Sequence, residues 1–335
     1  EESMTEDQLV SLFSGIHSRS PRQVNASWES DAEIVEVLDH FLLFSTDSFS
    51  EREDFFSQTP PERIGRNMAW SVLADTLVCG ISPRFLLSSW GLEAGRDPEW
   101  LSDVSRGIES TLAHFGVSLL GGDLGSSANW HWTGTVFGWS SELPVMRKAR
   151  NREPFRLCVT GTLGDANAAA FLGGPQPEFE WREPVPLQAL MASDTSGGFL
   201  DALENLRRVN PELSLTVELE KIPFAVNLPQ IPQEFQLIGG VGEYEFVFAL
   251  PENVPLPKDA RVVGFGDFPG DRIQAAGNAG QTAEIGVRFT RNGKPAGRMR
   301  TAPPDYRSVR QEEYFAVTQA YFQETFCPTE ALSRD

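Results

Sequence analysis

Cysteine, histidine, basic charge and long apolar runs are all scarce in this 335-residue chain. Three cysteines, Cys79, Cys158 and Cys327, are odd in number and widely spaced. They make neither a disulfide framework nor a zinc pattern, and a reducing, cytoplasmic setting is the expectation. The four histidines, His17, His40, His114 and His131, stand in unrelated contexts and read as surface or core residues. Only 28 Lys and Arg face 47 Asp and Glu, a formal net charge of -19. That deficit argues against nucleic acid and against an anionic membrane as partners. It leaves a small phosphorylated ligand open, because bound Mg²⁺ reverses the sign of a site locally. No apolar run approaches the roughly 18 residues of a membrane span. The acidic start (Glu1, Glu2, Glu6, Asp7) carries no signal pattern and lacks Met, so trimming is expected. A Gly-x-x-x-x-Gly-Lys-Ser/Thr phosphate loop is also missing.

What the chain has instead is apolar segments that run into aspartate. Leu42-Leu43-Phe44 leads to Asp47, Leu73-Ala74 to Asp75, Leu119-Leu120-Gly121-Gly122 to Asp123, and Met191-Ala192-Ser193 to Asp194. Asp75 shares the helical arc of Ile64, Met68 and Val72, so it is expected to face inward. Carboxylates brought together repel by about 4 kcal/mol per pair at ~4 Å and an effective dielectric near 20. A hard divalent cation with oxygen ligands relieves this, and Mg²⁺ completes its shell with phosphates and water. Phosphoryl transfer needs such metals and little covalent work from the protein. The plainer alternative makes each Asp a separate cap or turn residue. Cys79 and Cys158 sit in apolar contexts as inert core.

Hydrophobic residues at 40% of the chain allow a sizeable core in one large or two ordinary domains. The pattern predicts a short helix over 5–16, a strand pair over 34–46 and a helix from Pro61. A strand over 83–92 follows, then a helix capped by Asp97-Pro98 and closed by Gly116, and strands over 117–120 and 130–139. The aromatic strand 130–139 reads as an open sheet edge that needs covering. After a charged stretch at 141–154 come strands over 155–160, 215–219, 244–250, 261–265 and 285–289. Helices are expected after Asp165, after Gly198 and over 312–326. The domains are read as 1–145, 146–302 and a helical tail 303–335.

The order of motifs resembles thiamine-monophosphate kinase, in the superfamily of aminoimidazole ribonucleotide synthetase (PurM-like). The resemblance covers residues 30 to 250. It rests on Thr46-Asp47 with Glu51 and Phe55, Pro61-Glu62-x-Ile64-Gly65, Leu73-x-Asp75, Gly121-Gly122-Asp123, Val159-Thr160-Gly161-Thr162-Leu163-Gly164-Asp165, Asp194-x-Ser196-x-Gly198, and Gly240 with Glu243, Tyr244, Glu245 and Phe248. It implies an α/β (α+β) chain with a two-domain PurM-like fold, mixed sheets with helices packed on one face, and N-terminal sheets pairing into a dimeric barrel. It implies a homodimer with an ATP site in the domain cleft. The implied function is Mg²⁺-dependent transfer of the ATP γ-phosphate to a small phosphorylated metabolite. Alternatives are ATP-dependent activation of an amide or carbonyl oxygen, and a non-catalytic nucleotide-binding homologue.

Carried over residue by residue, Asp31, Asp47, Asp75, Asp123 and Asp194 would hold the metal, with Asp47, Asp123 and Asp194 catalytic. Gly121, Gly122, Lys148, Arg150, Gly161 and Ser196 would bind the nucleotide. The chain departs from the family pattern at Ser30 and Gly197, where acids are expected. It departs again at Asp54 in place of His, at Asn67 in place of Lys, and at Leu124-Gly125-Ser126 in place of polar residues. The acceptor is therefore expected to differ from thiamine monophosphate.

Overall fold

The structure is a computed structural model and describes residues 4–51, 54, 58–225, 231–269, 285–304 and 311–326. Phe55, Cys327 and residues 305–310 and 327–335 of the expected tail lie outside these. The chain divides into two compact units, one of residues 22–146 and 168–187, the other of residues 1–21, 147–167 and 188–335. The opening helix α1 (Glu6–Ile16), held by a capping box between Thr5 and Gln8, belongs to the latter.

The first unit is built on a five-stranded sheet. Its elements in order are β1 (Glu33–Val37), β2 (His40–Ser50), α2 (Pro61–Val78), β3 (Phe85–Leu92), α3 (Pro98–Phe115), β4 (Ser118–Ser126) and β5 (His131–Ser140). Strand order is β1-β2-β5-β3-β4, with β3 and β4 parallel and the other pairs antiparallel. A parallel pair needs a crossover, and α3 supplies it. Asp97 caps α3 by accepting from the Glu99 N–H at 3.0 Å, and Gly116 ends it at φ 64°. The strand expected as an open edge, β5, is instead central; the edges are β1 and β4. It is central because its two backbone edges pair with β2 on one side and β3 on the other.

Alternation sorts the two faces of this sheet. Leu43, Ser45 and Phe49 of β2 and Trp132 and Val136 of β5 are buried on the face that meets α2. Phe44, Thr46 and Ser48 point the other way and are exposed. That second face carries aromatic rings at one end: Phe137 stacks on Phe44 at 6.1 Å and meets Phe85 at 5.4 Å, and Phe85 meets Trp139 at 6.0 Å. Toward its other end it carries hydroxyls, with Thr46 paired to Thr135 and Ser48 to Thr133.

The second unit holds a seven-stranded sheet. Its further elements are β6 (Phe155–Thr160), α4 (Asp165–Leu172), β7 (Met191–Asp194), α5 (Phe199–Val209), β8 (Ser214–Glu218), β9 (Phe246–Pro251), β10 (Ala260–Asp267), β11 (Gly286–Arg291), β12 (Lys294–Met299) and α6 (Gln311–Phe326). The unit boundary cuts α4 after Asn167. Strand order is β12-β11-β8-β10-β6-β9-β7, with only β8 and β11 parallel. The strands β6 and β9 are apolar runs buried along nearly their whole length, as befits the middle of a covered sheet. Strand β12 has no strand-like sequence. It forms because Asn292 and Gly293, both at positive φ, make a two-residue hairpin that lays Lys294–Met299 back on β11.

Candidate functional site

In the first unit, α2 presents Asp75 to β2, where the buried Ser45 hydroxyl donates to Asp75 Oδ2. The helical arc that places Met68 and Val72 in the core therefore also places this carboxylate against the sheet. Asp31, in the loop before β1, brings a carboxylate oxygen within 4.8 Å of one from Asp75. Buried Cys79 at the end of α2 registers both charges. Its thiol is pushed up to about 12, first by burial, then by Asp31, with Asp75 adding to it. Ser30, at the first departure from the family pattern, has its hydroxyl 3.5 Å from Cys79 Sγ. Two carboxylates at ~5 Å repel by about 3 kcal/mol at an effective dielectric near 20. An oxygen-seeking divalent cation offsets that, so this donor set fits Mg²⁺. Asp47 lies two residues beyond Ser45 on β2, on the same face.

Strand ends do not deliver all the acids as the sequence suggested. Asp47 sits inside β2, three residues before its end, and Asp123 sits inside β4. The register places Asp47 opposite Gly134, Gly134 opposite Ser88, and Ser88 opposite Gly122. Asp123 is the next residue along, opposite Ser89 in the row of Thr133 and Ser48. It therefore lies on the face away from α2, and two strands separate β4 from β2, about 14 Å at three strand spacings. Within this sheet Asp123 therefore stands apart from Asp47 and Asp75, on the opposite face. A bulge between Leu86 and Leu87 shifts the β3–β4 register by one residue, and a one-residue slip sends a side chain to the opposite face. Gly121 and Gly122 belong to the same exposed edge strand.

Two of the substituted positions have local work in this fold. Asn67 is wholly buried on α2; its amide donates to Gln176 Oε1 (2.9 Å) and Pro177 O (2.8 Å) and accepts from the Phe179 N–H (3.0 Å). It pins segment 176–179 on the helix and is not presented to a ligand, as an acceptor contact would be. Asp54 accepts from the Ser50 N–H at 3.1 Å and closes the turn after β2.

In the second unit, Asp194 ends β7 and is buried, with the Ser196 hydroxyl donating to its Oδ1 at 3.0 Å. The turn Asp194–Gly198 is fastened to segment 240–246. The Thr195 N–H donates to Glu245 O, the Glu245 N–H to Thr195 Oγ1, and the Gly242 N–H to Ser196 O, all at 2.8–2.9 Å. Thr160, at the end of β6, donates to the buried Glu245 carboxylate and accepts from the Phe246 N–H. Glu243, also buried, accepts from the N–H groups of Gly164 and Ala166 at 2.8 and 3.1 Å and so caps α4. Burial pushes the Glu243 carboxyl well above the usual carboxylate range, and the charge of Asp165 pushes it further, against those two bonds. Gly161 sits in the turn that these acids hold. The sequence offered Glu243 and Glu245 only as motif letters. Their signal was two acids flanking Tyr244 at the mouth of an apolar strand. Arg147 and Ala149 are tied to Asn210, whose amide donates to Arg147 O (2.8 Å) and accepts from the Ala149 N–H (2.9 Å). Lys148 is exposed and Arg150 half-buried in the same run.

Residues 29–140 match the family described as AIR synthase related protein, N-terminal domain. The structure superposes on AaThiL complexed with AMPPCP and TMP at a TM-score of 0.68 and 19% identity, over 89% of this chain and 96% of that one. Fold and domain together define a PurM-like, AIR synthase-related protein. Among relatives by sequence, thiamine-monophosphate kinase of Methanopyrus kandleri is 30% identical over 223 residues, 58% of this chain and 70% of the relative. That of Pyrococcus horikoshii is 25% identical over 246 residues, 68% of this chain and 78% of the relative. The chain belongs to the thiamine-monophosphate kinase family.

Proposed function

We propose that this chain is a Mg²⁺-dependent kinase that moves the γ-phosphate of ATP to a small phosphorylated metabolite. The observation that carries the reading is the Asp31–Asp75 pair, with one oxygen of each within 4.8 Å and Ser45 fixing the second carboxylate. When bound, Mg²⁺ would supply positive charge to offset that of the phosphate groups. The chain's part is to hold the two acids in one orientation: α2 fixes Asp75, the loop before β1 brings Asp31, and Asp47 faces the same side. Asp194, Asp123 and the nucleotide contacts Gly121, Gly122, Lys148, Arg150, Gly161 and Ser196 keep their assignments on the family resemblance. AaThiL has been solved with AMPPCP, an ATP analogue, and with TMP, which supports ATP as the donor. Titration calorimetry with ATP, with and without Mg²⁺, tests the reading. Asp75→Asn is expected to lower the Mg²⁺-linked ATP affinity at least tenfold, about 1.4 kcal/mol. An unchanged affinity removes Asp75 from the site and the reading loses its support.

The acceptor is proposed to differ from thiamine monophosphate. Asp54 stands as an anion where the family carries an imidazole, and Asn67 is turned to structural use. Beside a phosphorylated acceptor, an anion replaces attraction by repulsion, a change of a few kcal/mol at ~4–6 Å. A coupled assay with ATP, Mg²⁺ and thiamine monophosphate is expected to show weak turnover. A rate on the order of 1 s⁻¹ would restore thiamine monophosphate as the acceptor.

The protein is further proposed to work as a homodimer. The aromatic half of the open sheet face and the all-exposed edge strand β4 present apolar surface and a strand edge, which a second copy would cover. Light scattering is expected to give twice the 37.1 kDa chain mass; the single-chain mass would refute the dimer.

A further inference from the structure

Residues 286–300 carry five cations, Arg288, Arg291, Lys294, Arg298 and Arg300, and no acid, in a chain whose formal net charge is -19. The β11–β12 hairpin displays most of them at one edge of the seven-stranded sheet. Arg288 donates to the Ser214 hydroxyl at 3.4 Å, and Arg298 to Ile285 O at 3.3 Å. Arg291 pairs with Glu234, whose side chain is 13% exposed. Lys294, opposite Arg291 in the register, has no hydrogen-bond or ion-pair partner among the described residues.

An apolar floor lies beside these heads. Gly297 lets α6 press on β12, since a Cβ there would lie 2.3 Å from Thr325 O. That approach brings Phe322 and Phe326 of α6 to the hairpin. Phe326 meets Phe289 of β11 at 4.8 Å and Phe322 at 5.7 Å, and Phe322 meets Phe235 at 5.9 Å. Phe322, Phe326 and Ala296, with Glu234, Arg291 and Lys294, line a groove of about 530 Å³. Small-molecule sites span roughly 300–1,000 Å³. The groove stands at β12, whereas Asp194 ends β7 at the opposite edge of the sheet. Six strand spacings, about 29 Å, separate those two strands.

We propose that this groove is a second ligand site, which takes a small amphipathic anion: a flat apolar body on Phe322 and Phe326, and one anionic head group at Lys294. The charges select the sign. Glu234 and Arg291 offset each other, which leaves the Lys294 ammonium uncompensated, with the Asn292 amide also lining the groove. The rings select the body, because aromatic faces gain from an offset-stacked planar partner. A polyanion such as nucleic acid is disfavoured by the charge of the rest of the chain. A single head group feels chiefly its nearest charge, because salt screens beyond roughly 8–10 Å. A plainer role for Lys294 and Pro295 is to keep the edge strand β12 from pairing with another strand. That role predicts that reversing the charge at 294 leaves ligand binding alone.

The probe is anilinonaphthalene sulfonate, an aromatic body with one anionic head, titrated by fluorescence into the full chain. Phenylnaphthylamine, which lacks the head group, is the control. Lys294→Glu is expected to weaken the sulfonate about tenfold and to leave the neutral control within about twofold. Ala296→Trp, which fills the groove, is expected to weaken both about tenfold or more. Thermal melting checks that each variant is folded, and should Ala296→Trp fold poorly, the Lys294→Glu arm decides alone. Sulfonate affinity unchanged in Lys294→Glu overturns the proposal, and so does an equal loss of the neutral control. Dye that sits instead on the aromatic sheet face of the first unit would be indifferent to both variants, and that result also overturns it. Naphthyl phosphate and naphthoate, which differ in their head group, are expected to displace the dye, and the tighter of the two gives the head group. Displacement by neither overturns the proposal. No arm uses ATP or Mg²⁺, so the outcome is independent of the kinase reading.

Discussion

Two sets of carboxylates, one in each unit, are used in opposite ways. In the five-stranded sheet Asp31, Asp47 and Asp75 are half-buried and Asp123 is exposed, and a Ser45 hydroxyl steadies Asp75. In the seven-stranded sheet Glu243 and Glu245 are buried, and each ties down backbone or a hydroxyl at the ends of β6 and α4. The first arrangement keeps oxygens available to a cation; the second uses them to fix turns. Motif letters alone do not separate these uses, because both kinds of acid sit close to glycine or to apolar runs. What separates them is how deeply the fold buries each carboxylate and which backbone groups it meets there.

The contrast can be broken first at a glycine. A Cβ at Gly242 would meet the Thr195 carbonyl oxygen at 1.4 Å, so Gly242→Ala must pull apart the fastened turns of the second unit. A loss of about 3 kcal/mol or more is expected in a urea melt; a loss below about 1 kcal/mol would show that these turns yield easily. On the open face of the first sheet, Phe137→Asp sets a charge among Phe44, Phe85 and Trp139. Dimer dissociation is expected to become at least a hundredfold easier, about 2.7 kcal/mol, as read by sedimentation across protein concentration. A dimer indifferent to Phe137→Asp must use another surface.

Asp123→Asn sharpens the comparison within the first unit. Because Asp123 lies on the face away from Asp75, it is expected to change Mg²⁺-linked ATP affinity less than Asp75→Asn does, by under about 1 kcal/mol against about 1.4 or more. Calorimetric values that match for the two variants would mean that both acids reach one ion.

For the second unit, Glu243→Gln keeps an oxygen for the Gly164 and Ala166 N–H groups but removes the charge. The folded carboxyl holds its proton to higher pH than the unfolded one, so the native state binds the extra proton. Stability due to this group is full below the unfolded carboxyl's range and is lost as pH rises toward the folded value. The wild type should therefore lose stability through this group as pH climbs from the acidic side toward neutral, and Glu243→Gln should flatten that slope. The variant is expected to be more stable at neutral pH by about 1 kcal/mol. Steeper pH dependence in the variant would mean that the ionised carboxylate stabilises the turn. The smallest effect is expected at Gly125 of β4, where an added Cβ finds its nearest atom, Trp90 O, at 3.8 Å. Gly125→Ala should move stability by no more than about 0.5 kcal/mol, and a large loss would show that this edge is packed.

Periodicity and capping determined much of the local structure. Asp97-Pro98 and Gly116 bound α3, the arc of Ile64, Met68 and Val72 carried Asp75 to the sheet, and Phe155–Thr160 was legible as a buried strand. These are short-range effects, written in residues that are near neighbours on one helix or one strand. The order of seven motifs also carried the family, because it needs no geometry at all.

Tertiary structure decided the rest. Strand order put β5 in the middle of its sheet, which alternation along one strand cannot reveal, since either neighbour satisfies the same pattern. A single bulge between β3 and β4 fixed the face on which Asp123 stands. The β12 strand exists only because a hairpin lays it against β11. Asn67 became an anchor because segment 176–179, more than a hundred residues away, brings it partners. The Asp201 carboxyl reached the space above Gly197 because one turn of helix returns a side chain over the residue four positions before it. A pattern scored position by position finds only glycine at 197; the folded helix shows the side chain that packs on it.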